Sequence, residues 1–274
     1  MRFPARFLLA LTLLLCCGAV VLRAEGTDSG GAGEQPAPDP ALLPVMYAGD
    51  EVLRYDINWT GGVKIGEMVL SVRRLPGEGE YRIEAKVRDH GLFRLVYPVD
   101  DHFVTLVRGA LRLPYRYEVH QLEGPGWETK RQTDYDQTGG QVRYRKNEED
   151  EQRFSVDGTV HNEFSSFFHT RAVALQPGRD FIVPTFADKK RHLVRVEVAG
   201  PETIKSILGP RRTLRVLPRM TFRGLYDKQG ATEIWLTDDK CRIPLKIRSE
   251  ILIGSLTSTL TDYHNPHCKS EGLP

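Results

Sequence analysis

Val52-Leu53-Arg54-Tyr55-Asp56-Ile57-Asn58-Trp59, then Thr60-Gly61-Gly62, then Val63 to Arg73, is the stretch on which the fold turns. From Leu53 onward apolar and polar residues alternate. That is the mark of a strand with one buried face, because successive side chains point to opposite sides of the sheet. Gly61-Gly62 provides the backbone freedom that a tight hairpin requires. In the second half Val63, Ile65, Met68, Leu70 and Val72 form the apolar set, and Gly66 breaks its phase, which predicts a bulge or bend.

The pattern recurs outward from this hairpin. Pro76-Gly77 and Gly79 mark a turn, and Tyr81-Ile83-Ala85-Val87 alternates again. Residues 103–107, 115–122, 128–135 and 141–146 read as short strands, with Gly or Pro between most of them. Strand patterns resume at 181–184, 192–198, 213–217, 232–236, 243–253 and 256–260. One segment differs. His161 to Leu175 places Phe164, Phe167, Phe168, Arg171, Ala172 and Leu175 at helical spacing, with Asn162 as N-cap and Gly178 as stop. One helix among about fifteen strands predicts a mainly β fold, a single antiparallel sheet that curls or closes. The stripe Phe164-Phe167-Phe168 has two readings, a core that plugs the helix into the curled sheet or the lining of an apolar ligand cavity.

The last strands allow a register. A two-residue turn at Ile253-Gly254 would set Leu252 against Ser255, Ile251 against Leu256 and Ile247 against Leu260, with the apolar pairs on one face. Cys241 would then face Pro266, close to Cys268. A Cys241–Cys268 disulfide that pins the C-terminal tail is the expectation, stabilising by about 3 kcal/mol through loop closure. Asp238, Asp239, Arg242 and Pro244 fit a tight turn with an ion pair before the next strand.

Met1 to Ala24 has the layout of a secretory signal: Arg2 and Arg6, an apolar run from Phe7 to Leu22, and Ala24 at the cut. The run is shorter than the roughly 20 residues of a membrane-spanning helix. Cleavage, retention as an anchor and lipidation at Cys16 or Cys17 all stay open. Glu25 to Pro44 lacks an apolar period and reads as a flexible linker. Val45 to Pro274 then forms one β domain with a C-terminal tail, giving segments 1–24, 25–44 and 45–274. Beyond Ala24 the chain has 35 basic and 36 acidic residues, net −1. Such a balance leaves no electrostatic footprint for nucleic acid. The expected location is periplasmic or secreted in a Gram-negative-type envelope, with membrane tethering through the N-terminus as the alternative.

Chemistry is sparsely marked. No Gly-x-Ser-x-Gly elbow, phosphate loop, dinucleotide fingerprint or HExxH motif occurs. Ser165, Ser166 and His169 share a helix face without an oxyanion loop. Asp100-Asp101-His102 and Asp238-Asp239 lie between strand patterns, where turn chemistry accounts for Asp. His264, His267 and the two cysteines hold the atoms of a zinc site at an unusual spacing, and a disulfide would consume both sulfurs. No catalytic residue, metal or cofactor is expected.

Trp235-Leu236-Thr237-Asp238-Asp239-Lys240-Cys241-Arg242-Ile243-Pro244 resembles the closing signature of the bacterial domain of unknown function 3108 family, in which Trp-x-Ser-Asp-Asp precedes a basic residue, an apolar one and Pro. Tyr55-Asp56-Ile57-Asn58-Trp59 with Gly66-Glu67 is similar to that family's opening strand pair. Thr237 stands where Ser is usual, and Cys241 where a basic residue is frequent. The resemblance implies an exported protein with an incompletely closed β-barrel or β-spiral, similar in outline to half-barrels that carry lipoproteins. The first functional expectation is a non-catalytic binding or carrier module for an apolar ligand or lipoprotein, with Phe164, Phe167 and Phe168 facing it. The alternative is a structural or interaction protein for an envelope partner, and an enzyme comes last.

Overall fold

The computed structural model describes residues 35–91, 94, 97–124, 126–220, 232–251 and 254–268. Its fourteen strands are β1 (Asp50–Trp59), β2 (Val63–Arg74), β3 (Tyr81–Asp89), β4 (Val99–Arg108), β5 (Leu113–Glu123), β6 (Trp127–Asp136), β7 (Gln141–Lys146), β8 (Gln152–Ser155), β9 (Phe181–Ala187), β10 (Lys190–Ser206), β11 (Gly209–Met220), β12 (Thr232–Thr237), β13 (Pro244–Glu250) and β14 (Ser255–His264). A helical turn, α1 (Leu43–Met46), precedes them, and α2 (Glu163–Ala172) separates β8 from β9. All fourteen strands join one sheet in the order β8-β7-β6-β5-β4-β3-β2-β1-β14-β13-β12-β11-β10-β9. Each neighbour pair is antiparallel. Two meanders thus run outward from β1 and β14, which meet in the middle.

The edges β8 and β9 do not zip together. Side chains join them instead: Phe186 of β9 packs on Phe154 of β8 at 5.6 Å and on Tyr135 of β6 at 6.3 Å. Lys189, in the β9–β10 turn, lies over the Tyr144 ring of β7 at 5.0 Å. The connector before α2 bridges part of the gap, since His161 N donates to Pro184 O at 2.8 Å and Phe186 N to His161 O at 2.7 Å. The result is a β-spiral, or incompletely closed barrel, as the resemblance implies.

Strand direction sorts the connections into two ends. The β2–β3, β4–β5, β6–β7, β10–β11 and β12–β13 turns lie at one end, with α1, α2 and the tail. The β1–β2, β3–β4, β5–β6, β7–β8, β9–β10 and β13–β14 turns lie at the other. We call these the plugged end and the far end.

The first hairpin follows its sequence pattern. The bulge falls at Ile65, with Ile57 paired to Gly66 and Asn58 to Lys64. Gly66 is required there because a Cβ would meet Arg88 O at 2.6 Å. The C-terminal register differs from the expected one. Ile247 pairs with Ser258 and Ser249 with Leu256, a slip of two residues, and Ile251 N donates to Gly254 O at 3.1 Å across a longer turn. A two-residue slip keeps every side chain on its face, so apolar patterning cannot detect it. Leu252 and Ile253, part of the expected turn, lie outside the described residues. β8 is a strand the pattern did not reveal.

Helix α2 is shorter than the spacing predicts, 163–172 instead of 161–175, because Val173 is extended (φ −100°, ψ 161°). Asn162 caps it: Ser165 N donates to Asn162 Oδ1 at 2.8 Å, while Asn162 N donates to Ser165 Oγ at 2.9 Å. Asn162 Nδ2 also donates to Thr105 Oγ1 of β4 at 2.8 Å, which ties the helix start to the sheet. Residues 35–44 belong to the segment whose composition suggests a linker, yet they run across α2. Asp39 N donates to Ala172 O at 2.7 Å, and Pro38, Leu42 and Met46 are buried. Few apolar anchors are enough when a helix end offers unpaired carbonyls. Residues 1–34, which include the segment 1–24 expected as a secretory signal, lie outside the described residues.

Candidate functional site

The plugged end is built around α2. Phe164 packs on Phe103 at 5.2 Å and on Tyr117 at 6.1 Å, and Phe167 on Phe168 at 5.4 Å. Phe168 also meets Tyr47 of the N-terminal strap at 6.2 Å. All three phenylalanines are buried. Arg171, at the last turn, reaches Glu51 of β1 with Nη1 at 2.9 Å and Nη2 at 2.8 Å, and donates from Nε to Arg242 O at 3.1 Å. Tyr263 OH donates to Glu51 Oε1 at 3.3 Å. A forked, desolvated pair of this kind fixes geometry more than it adds net stability. Neither Glu51 nor the strap was singled out in the sequence. An isolated Glu beginning a strand and an Arg at helical spacing carry no signal until the fold brings them together.

The disulfide expected between Cys241 and Cys268 is present, with Cα atoms 5.4 Å apart. The turn before it is organised by Asp239, whose Oδ1 accepts from Thr237 Oγ1 at 2.7 Å, Cys241 N at 2.9 Å and Arg242 N at 3.2 Å. Asp238 accepts from Arg212 Nε at 2.9 Å and lies 3.7 Å from Arg242 Nη1. Pro244 O, opening β13, accepts from Tyr55 OH at 2.8 Å.

The Ser–His set on α2 is spent on local structure. Ser165 Oγ serves the cap and lies 3.2 Å from His161 Nδ1, and Ser166 Oγ donates to Glu163 O at 2.9 Å. His161 and His169 stack at 4.6 Å beneath the strap. Burial keeps both neutral, with His161 pushed well below the usual imidazole value and His169 down to about 4.

The far end holds a group that sequence reasoning misplaced. Asp100-Asp101-His102 is not a turn but the start of β4, and Asp101 faces inward at 1 % exposure. It shares the inner face with Val87, Val99 and Val119, all buried. Gln121 of β5 donates from Nε2 to Asp101 Oδ2 at 3.1 Å and to Glu123 Oε1 at 3.2 Å. Arg131 of β6 donates from Nη2 to Gln121 Oε1 at 2.9 Å. Burial, then Glu123 and Asp100, push the Asp101 carboxyl up to about 7, against the pull of Gln121 and the Leu122 amide. Its one sequence signal was an Asp in phase with Phe103 and Thr105. Trp127 pairs with Glu123 at the rim and is 72 % exposed.

A separate shallow groove of about 210 Å³ crosses β5 to β7, lined by Arg116, Gln132, Asp134, Arg143, Tyr144, Arg145 and Glu151. Arg116 pairs with Asp134 at 2.8 Å and Arg145 with Glu151 at 3.8 Å, so much of its charge is spent internally. Among the described residues no group of three or more metal-ligating side chains gathers, and no helix is long and apolar enough to cross a membrane.

These features define a class: an all-antiparallel, incompletely closed β-barrel with an internal plug helix. The chain belongs to the family described as protein of unknown function DUF3108, whose model matches residues 54–261. That description names no reaction. Among solved structures, the chain is similar to a β-barrel-like protein of domain of unknown function DUF1849 from Brucella abortus. The TM-score is 0.54 at 11 % identity, covering 79 % of this chain and 97 % of that one, a likeness of fold. A protein provisionally described as a lipoprotein from Parabacteroides distasonis aligns with TM-score 0.32 and 10 % identity over 86 % of this chain and 100 % of its own. An exported protein, also provisionally described, with a YmcC-like fold from Bacteroides fragilis gives TM-score 0.32 and 10 % identity, over 85 % and 100 %. No curated protein matches the chain.

Proposed function

We infer that this chain is an exported, non-catalytic envelope protein that works by binding a partner at its far end, rather than by carrying an apolar ligand around α2. One observation carries this reading: among the described residues Phe164, Phe167 and Phe168 are buried against the protein's own rings, as core side chains are, which supports a structural role for them. The exposed apolar side chains point the same way. Val63, Leu122, Trp127 and Leu193 stand at the far end, against Leu111 and Ile207 at the plugged end. Among the described residues more exposed apolar groups stand at the far end than at the plugged end, which supports a docking role.

The carrier reading keeps one supporting observation, the β8–β9 seam, which lacks a hydrogen-bonded ladder and is the natural line of opening. A photo-crosslinking residue at Leu122 or at Leu111, introduced in cells that export the chain, separates the readings when paired with native mass spectrometry. A discrete adduct at Leu122 with none at Leu111, and a bare protein mass, is the expected result. A co-purifying lipid that is lost in Phe167→Asp, with the fold intact, would replace it with the carrier.

A further inference from the structure

Among the described residues, Asp101 is a buried carboxylate with no ion-pair partner. Gln121 satisfies Oδ2, while Oδ1 has no hydrogen bond of normal geometry. The charges that act on it most, Glu123 and Asp100, are both negative. Around it stand Asp89 ending β3, Arg88 paired with Asp100 at 3.2 Å, and Arg131, whose Nη2 donates to Gln121 Oε1. Arg131 is shared with Asp188 of the β9–β10 turn and with Tyr144. A desolvated carboxylate in a negative field gains more from an incoming cation than from any neutral ligand.

The surroundings select the kind of cation. A metal ion of this charge class wants several oxygen ligands in a shell, and the described residues supply no group of three. The rim is aromatic instead. Tyr97 lies so near Gly124 that a Cβ there would come within 2.8 Å of its ring, and its hydroxyl responds to both Glu123 and Asp101. Trp127 stands beside Glu123 on the same face. Ring faces attract cations, and valine walls suit an alkyl stem.

We propose that the inner-face cluster of Asp101, Gln121 and Glu123, beneath Tyr97 and Trp127, binds the ammonium group of an alkylamine, either free or as a lipid headgroup. This deepens the docking reading by naming chemistry at the far end. The ammonium N–H groups donate to Asp101 Oδ1 and to Glu123, and Gln121, held by Arg131, keeps the carboxylates in place. Binding favours the ionised Asp101, so each cation bound below neutral pH releases a proton.

The test is a titration of the full chain with n-butylammonium chloride, followed through the Trp127 indole N–H by NMR, with sodium chloride at matched ionic strength as control. A saturable shift is expected, about ten-fold tighter at pH 8 than at pH 6, lost in Asp101→Asn and weakened in Glu123→Gln. Asp262→Asn, an exposed change elsewhere, should leave it intact. A shift reproduced by sodium chloride, or undiminished in both Asp101→Asn and Glu123→Gln, overturns the proposal. Tighter binding of monomeric lysophosphatidylethanolamine than of butylammonium, with no response to lysophosphatidylglycerol, assigns the headgroup, and the reverse order assigns free amines. No amine response while the Leu122 crosslink persists overturns this inference alone.

Discussion

Glu51 and Asp101 are each 1 % exposed, one at either end of the same barrel. Glu51 receives both guanidinium nitrogens of Arg171 and a tyrosine hydroxyl. Asp101 receives the Gln121 side-chain amide, with the Leu122 amide beside it, and faces two further carboxylates. The plugged end gathers the ties: the disulfide, the capped helix and the strap all converge there. The far end keeps a carboxylate whose ionisation the fold resists and an exposed Trp127. Equal burial with opposite satisfaction separates a residue that holds the fold from one that remains available to a ligand.

Removing a partner of Glu51 at the plugged end should have the largest effect. Arg171→Met strands Glu51 and should destabilise by about 3–5 kcal/mol in urea unfolding, whereas Glu51→Leu/Arg171→Met should recover most of it. If the single change costs under about 1 kcal/mol, the pair is not the anchor described. Reducing the disulfide, or Cys241→Ser/Cys268→Ser, should cost about 3 kcal/mol and leave the far end's spectroscopic signature unchanged. A Trp127 signal that moves with reduction would show that the ends are coupled.

Asp101→Asn should act in the opposite direction. The folded carboxyl titrates near 7, against about 4 when unfolded. The folded state therefore holds the proton more tightly. Its contribution to stability is full below about pH 4, declines as pH rises and is lost above about 7. The variant should be more stable than the parent at pH 8, by about 2 kcal/mol, with the difference shrinking toward pH 4. Equal stability at both pH values would mean that Asp101 is already compensated. The smallest effect belongs to Trp127→Ala, within about 0.5 kcal/mol of the parent in stability, since its ring is mostly in solvent.

Alternation from Leu53 to Trp59, the glycine turns and the spacing of Phe164, Phe167 and Phe168 made the strands and the plug helix legible. Those patterns are local, and their periods of two and of 3.6 residues survive in a linear text. β8 escaped because Gln152–Ser155 is short and mostly polar, an edge strand that buries little. Asp101 was misread because an Asp pair between two strand patterns ordinarily marks a turn, and only the register with Val87 and Gln121 puts it inside.

By itself the sequence determined the mainly β fold, the helix and its cap, the bulge near Gly66 and the partnership of Cys241 with Cys268. Each follows from neighbours along the chain or, for the cysteines, from an expected hairpin register that brings Cys241 near Cys268. Tertiary structure alone decided the rest: the two-residue slip of β13 on β14, the unzipped seam, the meeting of Glu51 with Arg171 and the isolation of Asp101. The physical reason is that periodicity assigns a side chain to a face, whereas register and curvature decide what stands opposite it. Opposite partners set whether a buried charge is neutralised, and therefore which buried residue is left to bind something else.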